Sequence, residues 1–514
     1  MAGDSAGARS HYAELLGVPT AAAYAHLRLA DMALAGGDLR LATSHALMAH
    51  DAAHSEPSLL AQLCRQLFAL GEARAGLDAA ERLARAPGAG IPMLAEIAKL
   101  LSDAMQPEAA LAMLARARAA GLPASTGASY LEGLNRLYVG DLDQAFAALT
   151  TSITLDPAFA PAYWSLAKLR RPDQRQQRID RLEVLVARHP DTHPDAPLWL
   201  YSLFHELDAE DDVARAWPVL ERAMRARGAQ VRYDEAAEQS LLRRVRDEMQ
   251  RWAAVALPPA TGAGNPGTPS PLMIVGMPRT GTTVIEQSLC ASWQVQSAGE
   301  LREFVQQMRW LANAPGPPGP DAALLQAILP SQLHQLGERY LAHAAWRGGG
   351  LPHFSDKWPE NYLVMGHALA SLPQLTVLAV QRDPMDACWS NLREWFGGSY
   401  YYSYDMGHVA RRQAAYAELL DAAKDAFGRR VVVADYERFV QDPVLECRRL
   451  ADAIGLHPRT EDAPAMQAVP TASAVQVRGG VTTRNIGAWR RYQRWLGPLQ
   501  AALEHARRID GRDA

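Results

Sequence analysis

The sequence predicts a two-part protein, with an all-α helical-repeat solenoid in the first half and an α/β domain built on a central parallel sheet in the second. Three observations carry that reading. Helix-like apolar spacing with recurring punctuation occupies residues 12–254, and three short apolar runs alternate with helical segments after residue 270. Between them lies a stretch rich in proline, glycine, serine and threonine, LPPATGAGNPGTPS. The expected division is residues 1–256, a linker at 257–270, and residues 271–514. At 514 residues the chain is too long for one ordinary core, which agrees with more than one domain.

In the first half, Gly37 starts GDLRLA, Gly71 starts GEARAG, Met105 starts MQPEAA and Gly140 starts GDLDQA, at steps of 34, 34 and 35 residues. That is the period of the tetratricopeptide repeat, a helix–turn–helix unit that buries its apolar face by stacking on its neighbours. Five places further on, Ala42, Gly76, Ala110 and Ala145 are small enough for the two helices of a unit to approach closely. Pro57, Pro87, Pro123 and Pro157 close the units, and the best copy runs from Tyr130 to Pro157. Later copies drift. Leu198 to Gly228 reads as one more degenerate pair, and Tyr233 to Ala254 as a single amphipathic helix. Such solenoids present a concave surface to a peptide or protein, or serve as plain scaffolds, and the sequence leaves both open.

In the second half, strands are expected at Leu272 to Val275, Leu375 to Val380 and Arg430 to Ala434, with helices such as Tyr362 to Ala370 and Ala410 to Ala423 between them. Ala314 to Pro320, APGPPGP, reads as a surface loop. Strands alternating with helices mean a parallel sheet covered on both faces, with ligands held beyond the carboxyl ends of the strands.

The first of these strands runs into Gly276-Met277-Pro278-Arg279-Thr280-Gly281-Thr282-Thr283, the GxxxxG spacing of a P-loop at a strand-to-helix corner. There the backbone N–H groups and the helix dipole converge on one spot and favour an anion. Where a nucleotide triphosphatase carries Lys and then Ser or Thr, this chain has Thr282 and Thr283. Arg279 lies inside the loop and offers a planar fork of donors for phosphate or sulfonate oxygens. The second strand ends in Gln381-Arg382-Asp383-Pro384, with Ser390 eight residues beyond Arg382, and the third in Asp435-Tyr436-Glu437. Alone, Arg382 would read as a solvated charge and Tyr436 as a core aromatic. Together at the strand ends beside an anion loop, they point to a nucleotide site.

Composition narrows the classes. A net charge of −4 gives no overall drive toward nucleic acid or acidic membrane, so any anion site is local. Cys64, Cys290, Cys388 and Cys447 are widely spaced without a CxxC pair, which argues against a zinc ribbon or disulfide framework and suits a reducing cytoplasm. The segment MAGDSAGARSHYAELLGV has no long apolar core, and no apolar stretch of about 18 residues follows it. The expectation is a cytoplasmic protein, neither exported nor membrane-spanning.

Seven motifs in order, PRTGTT (278–283), GELREF (299–304), SDKWPENY (355–362), VQRDPMDACWS (380–390), DYERFVQDP (435–443), TASAVQVR (471–478) and NIGAWRRY (485–492), resemble the sulfotransferases that use 3′-phosphoadenosine 5′-phosphosulfate (PAPS). The likeness is to bacterial proteins with tetratricopeptide repeats in front of a domain similar to tyrosylprotein sulfotransferases. It implies that Arg279, Thr280, Gly281, Thr282 and Thr283 hold the 5′-phosphosulfate, that Arg382 and Ser390 hold the 3′-phosphate, and that Tyr436 shapes the nucleotide pocket. Lys357 would stand near the bridging oxygen, Glu300 would be the base for the acceptor proton with His353 its rival, and Ser473 would sit near the leaving phosphate. Thr280 stands where the family often has Ser, and Ala488 where it commonly has Arg before Trp489, a charge that Arg478 or Arg484 would then supply. The resemblance implies no metal and suggests a homodimer. The acceptor stays open among a peptidyl tyrosine, a phenolic natural product and a glycan, and Trp395-Phe396 with Tyr400, Tyr401, Tyr402 and Tyr404 reads either as an acceptor pocket or as packing against the repeats. Two other readings compete. One is a repeat scaffold with a nucleotide-binding but inactive C-terminal domain, and the other a P-loop kinase, which Thr282 in the lysine position disfavours.

Overall fold

Small side chains at matched positions let consecutive helices of the first half share one apolar seam. The computed structural model describes residues 5–53, 55–258, 268–459, 475 and 480–509. After α1 (Ser5–Leu15) come α2 (Pro19–Ala35) with α3 (Leu39–Ala52), α4 (Pro57–Ala69) with α5 (Ala73–Arg85), α6 (Ile91–Asp103) with α7 (Pro107–Ala119), and α8 (Thr126–Val139) with α9 (Leu142–Leu155). Then follow α10 (Ala160–Leu169), α11 (Arg175–Arg188), α12 (Ala196–Ala209) and α13 (Val213–Gln230). Ala42, Ala110 and Ala145 are fully buried, and a Cβ on Gly76 would meet the Phe68 ring at 3.2 Å. The repeat landmarks share one backbone shape: Gly37, Gly71, Met105 and Gly140 have φ of 80°, 82°, 58° and 91°. Each is the left-handed residue that ends a first helix. Asp38 and Asp141, next in line, cap the second helix by accepting from Leu41 and Gln144 N–H. The drift of the later copies is visible as packing, since α11 packs chiefly on α12 while α10 is divided between α9 and α12.

The segment expected as one helix from Tyr233 to Ala254 is two, α14 (Glu235–Asp247) and α15 (Met249–Ala254). The chain turns at Glu248, which brings Trp252 against His367 with ring centroids 4.1 Å apart. Of the expected linker, residues 259–267 lie outside those described, and Leu257 N–H is tied to Ala370 C=O at 2.9 Å.

The second half holds β1 (Ser270–Gly276), α16 (Thr282–Ser292), β2 (Val295–Ser297), α17 (Glu303–Ala312), α18 (Ala322–Ala327), α19 (Leu333–Ala344) and β3 (His353–Asp356). After these come α20 (Met365–Ser371), β4 (Thr376–Gln381), α21 (Pro384–Leu392), α22 (Met406–Phe427), β5 (Val431–Asp435), α23 (Tyr436–Gln441), α24 (Pro443–Ile454) and α25 (Gly497–Ile509). The five strands form one sheet in the order β2-β3-β1-β4-β5, all parallel. Side chains alternate across it. Leu272 and Ile274 face Ile285, Phe439 and Leu450 of α16, α23 and α24, while Met273 and Val275 belong to the core that includes Tyr340 and Leu419 of α19 and α22. That second core runs without a break from Leu137 in the repeats to Leu503 in α25, whereas α2–α7 keep a core of their own.

Candidate active site

Because every strand runs the same way, the residue after each one arrives at the same edge of the sheet. After β1, Gly281 has φ 104° and caps α16, and a Cβ there would meet the Tyr436 ring at 2.3 Å. Only glycine fits between the loop and that ring. The loop is braced from outside, with Asn391 Nδ2 donating to Pro278 C=O at 2.8 Å and Arg382 Nη1 to Arg279 C=O at 2.9 Å. Thr280 is turned inward and donates its hydroxyl to Met277 C=O at 2.7 Å. Thr282 is buried, whereas Arg279, Gly281 and Thr283 line a cavity. The helix N-terminus, with its free N–H groups, faces that space.

Beyond β4 and β5 the same cavity is walled by Arg382, Ser390 and Tyr436. Arg382 Nη1 lies 3.2 Å from Ser390 Oγ, Nη2 donates to Asn485 C=O at 2.7 Å, and the guanidinium sits 4.6 Å over the Tyr436 ring. Two buried donors on this wall, Arg382 Nε and Trp389 Nε1, have no partner among the described residues. Buried N–H groups are normally paired, so an acceptor belongs here. Asp386 takes the backbone N–H of Gly487 at 2.5 Å and of Trp489 at 3.3 Å, which holds Ala488 against the cavity.

On the other side of β1, the pairing of β2 with β3 carries Glu300 beside Lys357. Lys357 N–H donates to Gly299 C=O at 2.8 Å, and Lys357 Nζ to Glu300 Oε1 at 2.6 Å. Lys357 is buried, while Glu300 keeps 24% of its side chain exposed. Asp356 clamps both segments, its Oδ1 accepting from Leu301 N–H and Trp358 N–H at 3.3 Å and from Asn361 Nδ2 at 3.0 Å. Burial pushes the Asp356 carboxyl up to about 8. Beneath Lys357, the buried Glu286 accepts from Ser355 Oγ at 2.6 Å and Ser297 Oγ at 3.0 Å. His353 stands apart. It opens β3 opposite Ser270, at the far end of the sheet, about 13 Å of strand from Lys357.

Residues 271–461 match the family model described as the sulfotransferase family. The match lies within the C-terminal half and takes in the strand-end loop, Lys357, Arg382 and Tyr436. An uncharacterized protein of Aquifex aeolicus (strain VF5) is 24% identical over 376 residues, 71% of this chain, and the chain spans 48% of the length of that curated relative. Among solved structures, the sulfotransferase domain from the curacin biosynthetic pathway matches at TM-score 0.26 with 14% identity, over 44% of this chain and 98% of that one. Sulfotransferase STF9 from Mycobacterium avium matches at 0.25 with 15% identity, over 62% and 95% of the two chains. YrrB, a TPR protein with an unusual peptide-binding site, matches at 0.26 with 17% identity, over 40% and 95%.

The sulfotransferase domain thus brings Arg279, Gly281, Thr283, Arg382, Ser390 and Tyr436 to one cavity and sets Glu300 and Lys357 at the edge of the sheet beyond it. Ser473 and Arg478 lie outside the described residues. Arg484 is exposed and does not line the cavity, although its neighbour Asn485 does. The cavity also holds residues given no role from the sequence: Trp389, inside the VQRDPMDACWS motif, with Arg393 and Glu394 from the domain itself, and Lys168, Arg170 and His205 from α10, its end and α12. Trp389 directly precedes Ser390, so its neighbourhood was readable. Nothing local marks the repeat residues. The aromatic cluster is largely packing, because Arg227 of α13 sits 5.8 Å over both Trp395 and Tyr404, and Tyr201 of α12 meets Tyr404 at 6.2 Å. Among the described residues no helix is long and apolar enough to cross a membrane.

Proposed function

We propose that the chain transfers a sulfonyl group from PAPS to a hydroxyl acceptor. The observation that carries this reading is the pairing of Arg382 with Ser390 at 3.2 Å, with Arg382 Nε left without a partner among the described residues, next to a phosphate-gripping loop that lacks the P-loop lysine. That set suits a 3′-phosphate and a 5′-phosphosulfate better than a metal-bound triphosphate. In the reaction, the acceptor oxygen forms a bond to sulfur as the bond from sulfur to the bridging oxygen breaks. The acceptor proton passes to the Glu300 carboxylate, and the leaving phosphate oxygen gathers charge beside the Lys357 ammonium. The 2.6 Å ion pair holds both groups ready and is exchanged for these contacts when the substrates arrive.

The acceptor side is a cleft of about 710 Å³ between the solenoid and the loop that carries Glu300. One wall is Gly299 to Glu303, and the other includes Arg65, Phe68, Asp103 and Met105 of the repeats. A wall made of repeats favours a polypeptide acceptor over a small phenol or a glycan. Titration of the purified chain with 3′-phosphoadenosine 5′-phosphate (PAP), AMP and ATP tests the donor reading. Preference for PAP that is lost in Arg382→Ala supports it. Equal binding of all three, or none, overturns it in favour of a repeat scaffold.

A further inference from the structure

Only four of the 52 basic residues are lysines: Lys99, Lys168, Lys357 and Lys424. Lys99 and Lys424 are exposed. Each of the other two is held against one glutamate, the buried Lys357 on Glu300 and Lys168, with 12% of its side chain exposed, on Glu394. In a chain that otherwise uses arginine, a lysine enclosed in this way marks a position where a compact point charge is wanted rather than a planar fork. Lys357 has a part in the proposed reaction. Lys168 has none so far, and it comes from the repeat half.

The Lys168 ammonium donates to both oxygens of Glu394, at 2.9 and 2.6 Å, and one of those oxygens lies 3.3 Å from Arg279 Nε in the phosphate-gripping loop. One carboxylate therefore ties a repeat helix to the loop. An ammonium has three N–H groups; two go to Glu394, the Trp164 ring lies 5.1 Å from the nitrogen, and Lys168 also lines the cavity. Arg382 Nε and Trp389 Nε1, without partners among the described residues, border the same space. Buried donors without acceptors around one cavity are the mark of an anion site.

On the reading of this cavity as the donor site, we propose that Lys168 is a donor-binding residue, so that the nucleotide site is shared between the repeat helices and the sulfotransferase domain. Glu394 positions Lys168 and Arg279 on one wall. The groups facing Lys168 are Glu394, Arg279 and Arg393 from the domain, with His205 and Arg170 from the repeats. Burial, only partly offset by Glu394, brings the Lys168 ammonium down to about 8, while burial holds His205 neutral. An anion that binds the protonated amine must weaken as pH rises through that value.

The test is titration of the full-length protein with PAP from pH 7 to 9.5, using wild type, Lys168→Met, Lys168→Arg and Lys99→Met. Lys168→Met is expected to raise Kd about tenfold or more at pH 7, the scale of one charge-assisted hydrogen bond, and to flatten the fall in affinity above pH 8. Lys168→Arg, whose charge does not titrate in this range, is expected to be equally flat in its pH profile, and Lys99→Met behaves as wild type. Wild-type affinity and pH profile in Lys168→Met overturn the proposal. Should that variant not unfold cooperatively, acetylation of wild type read by mass spectrometry decides: PAP slows labelling of Lys168 relative to Lys99, and equal rates overturn the proposal. A wild type that does not prefer PAP to AMP sinks the donor reading itself, whereas preference with an indifferent Lys168→Met sinks this inference alone.

Discussion

Glu300 and Lys357 reach each other because neighbouring parallel strands end together, and Asp356 ties the two segments through its three N–H contacts. Their separate roles predict separate kinetics. With PAPS and an accepted hydroxyl substrate, Glu300→Gln is expected to lower kcat by about 10²–10⁴ while PAP binding stays within about twofold of wild type. Lys357→Met is expected to lower kcat by about 10²–10³, the scale of one donor lost from developing charge. A Glu300→Gln enzyme with undiminished turnover would remove that residue from the role of base. At this scale the sequence was informative where residues sat in motifs, as Arg279, Lys357 and Arg382 do. It was silent on Lys168, because a lone lysine in a helix looks like a solvated charge until the partner 226 residues away is known.

The elements show why some were readable and others not. β1 and β4 are continuous apolar runs buried on both faces, the pattern of central parallel strands, and β5, at the sheet edge, keeps the apolar run with Val433 half-buried. β2 and β3 are three and four residues long, and β3 reads HFSD, so no periodicity announces them. Their polar residues serve the site, Ser355 by bonding Glu286 and Asp356 by its clamp. In the repeats the period was legible because the same left-handed turn recurs, and Met105 breaks the glycine rule at φ 58°. Met105 is 38% exposed, so Met105→Gly loses little packing while it relieves backbone strain. Chemical denaturation is expected to show a gain of about 0.5–1 kcal/mol. A loss of similar size would mean that Met105 earns its place through contacts along the cleft.

Across the whole molecule, the repeats and the sulfotransferase domain are joined by a buried charge hub. Asp208 of α12 accepts from Arg393 at 2.7 Å, Arg491 at 3.1 Å and Tyr492 OH at 2.9 Å, with Arg170 at 3.5 Å and Trp217 stacked on Trp495 alongside. Burial pushes the Asp208 carboxyl up, but Arg393 and Arg170 outweigh it and hold it well below the usual range. A depressed native value means stability that is complete above the unfolded pKa of about 4 and is lost as pH falls below it. Asp208→Ala, which leaves arginines buried without their partner, is expected to cost about 3–5 kcal/mol at pH 7 and to make unfolding less sensitive to acid. Equal urea midpoints for variant and wild type at pH 7 would show the hub to be neutral. By itself the sequence determined the repeat period, the parallel sheet and the glycine-bearing strand-to-helix loop, because each is a local pattern of spacing and turn chemistry. Tertiary structure alone decided that Lys168, His205 and Asp208 of the solenoid stand against the strand-end cavity and its rim, and that a repeat wall faces Glu300. Those neighbours meet through the continuous core that joins α8–α13 to the sheet, and packing across some 200 residues leaves no local signature in the chain.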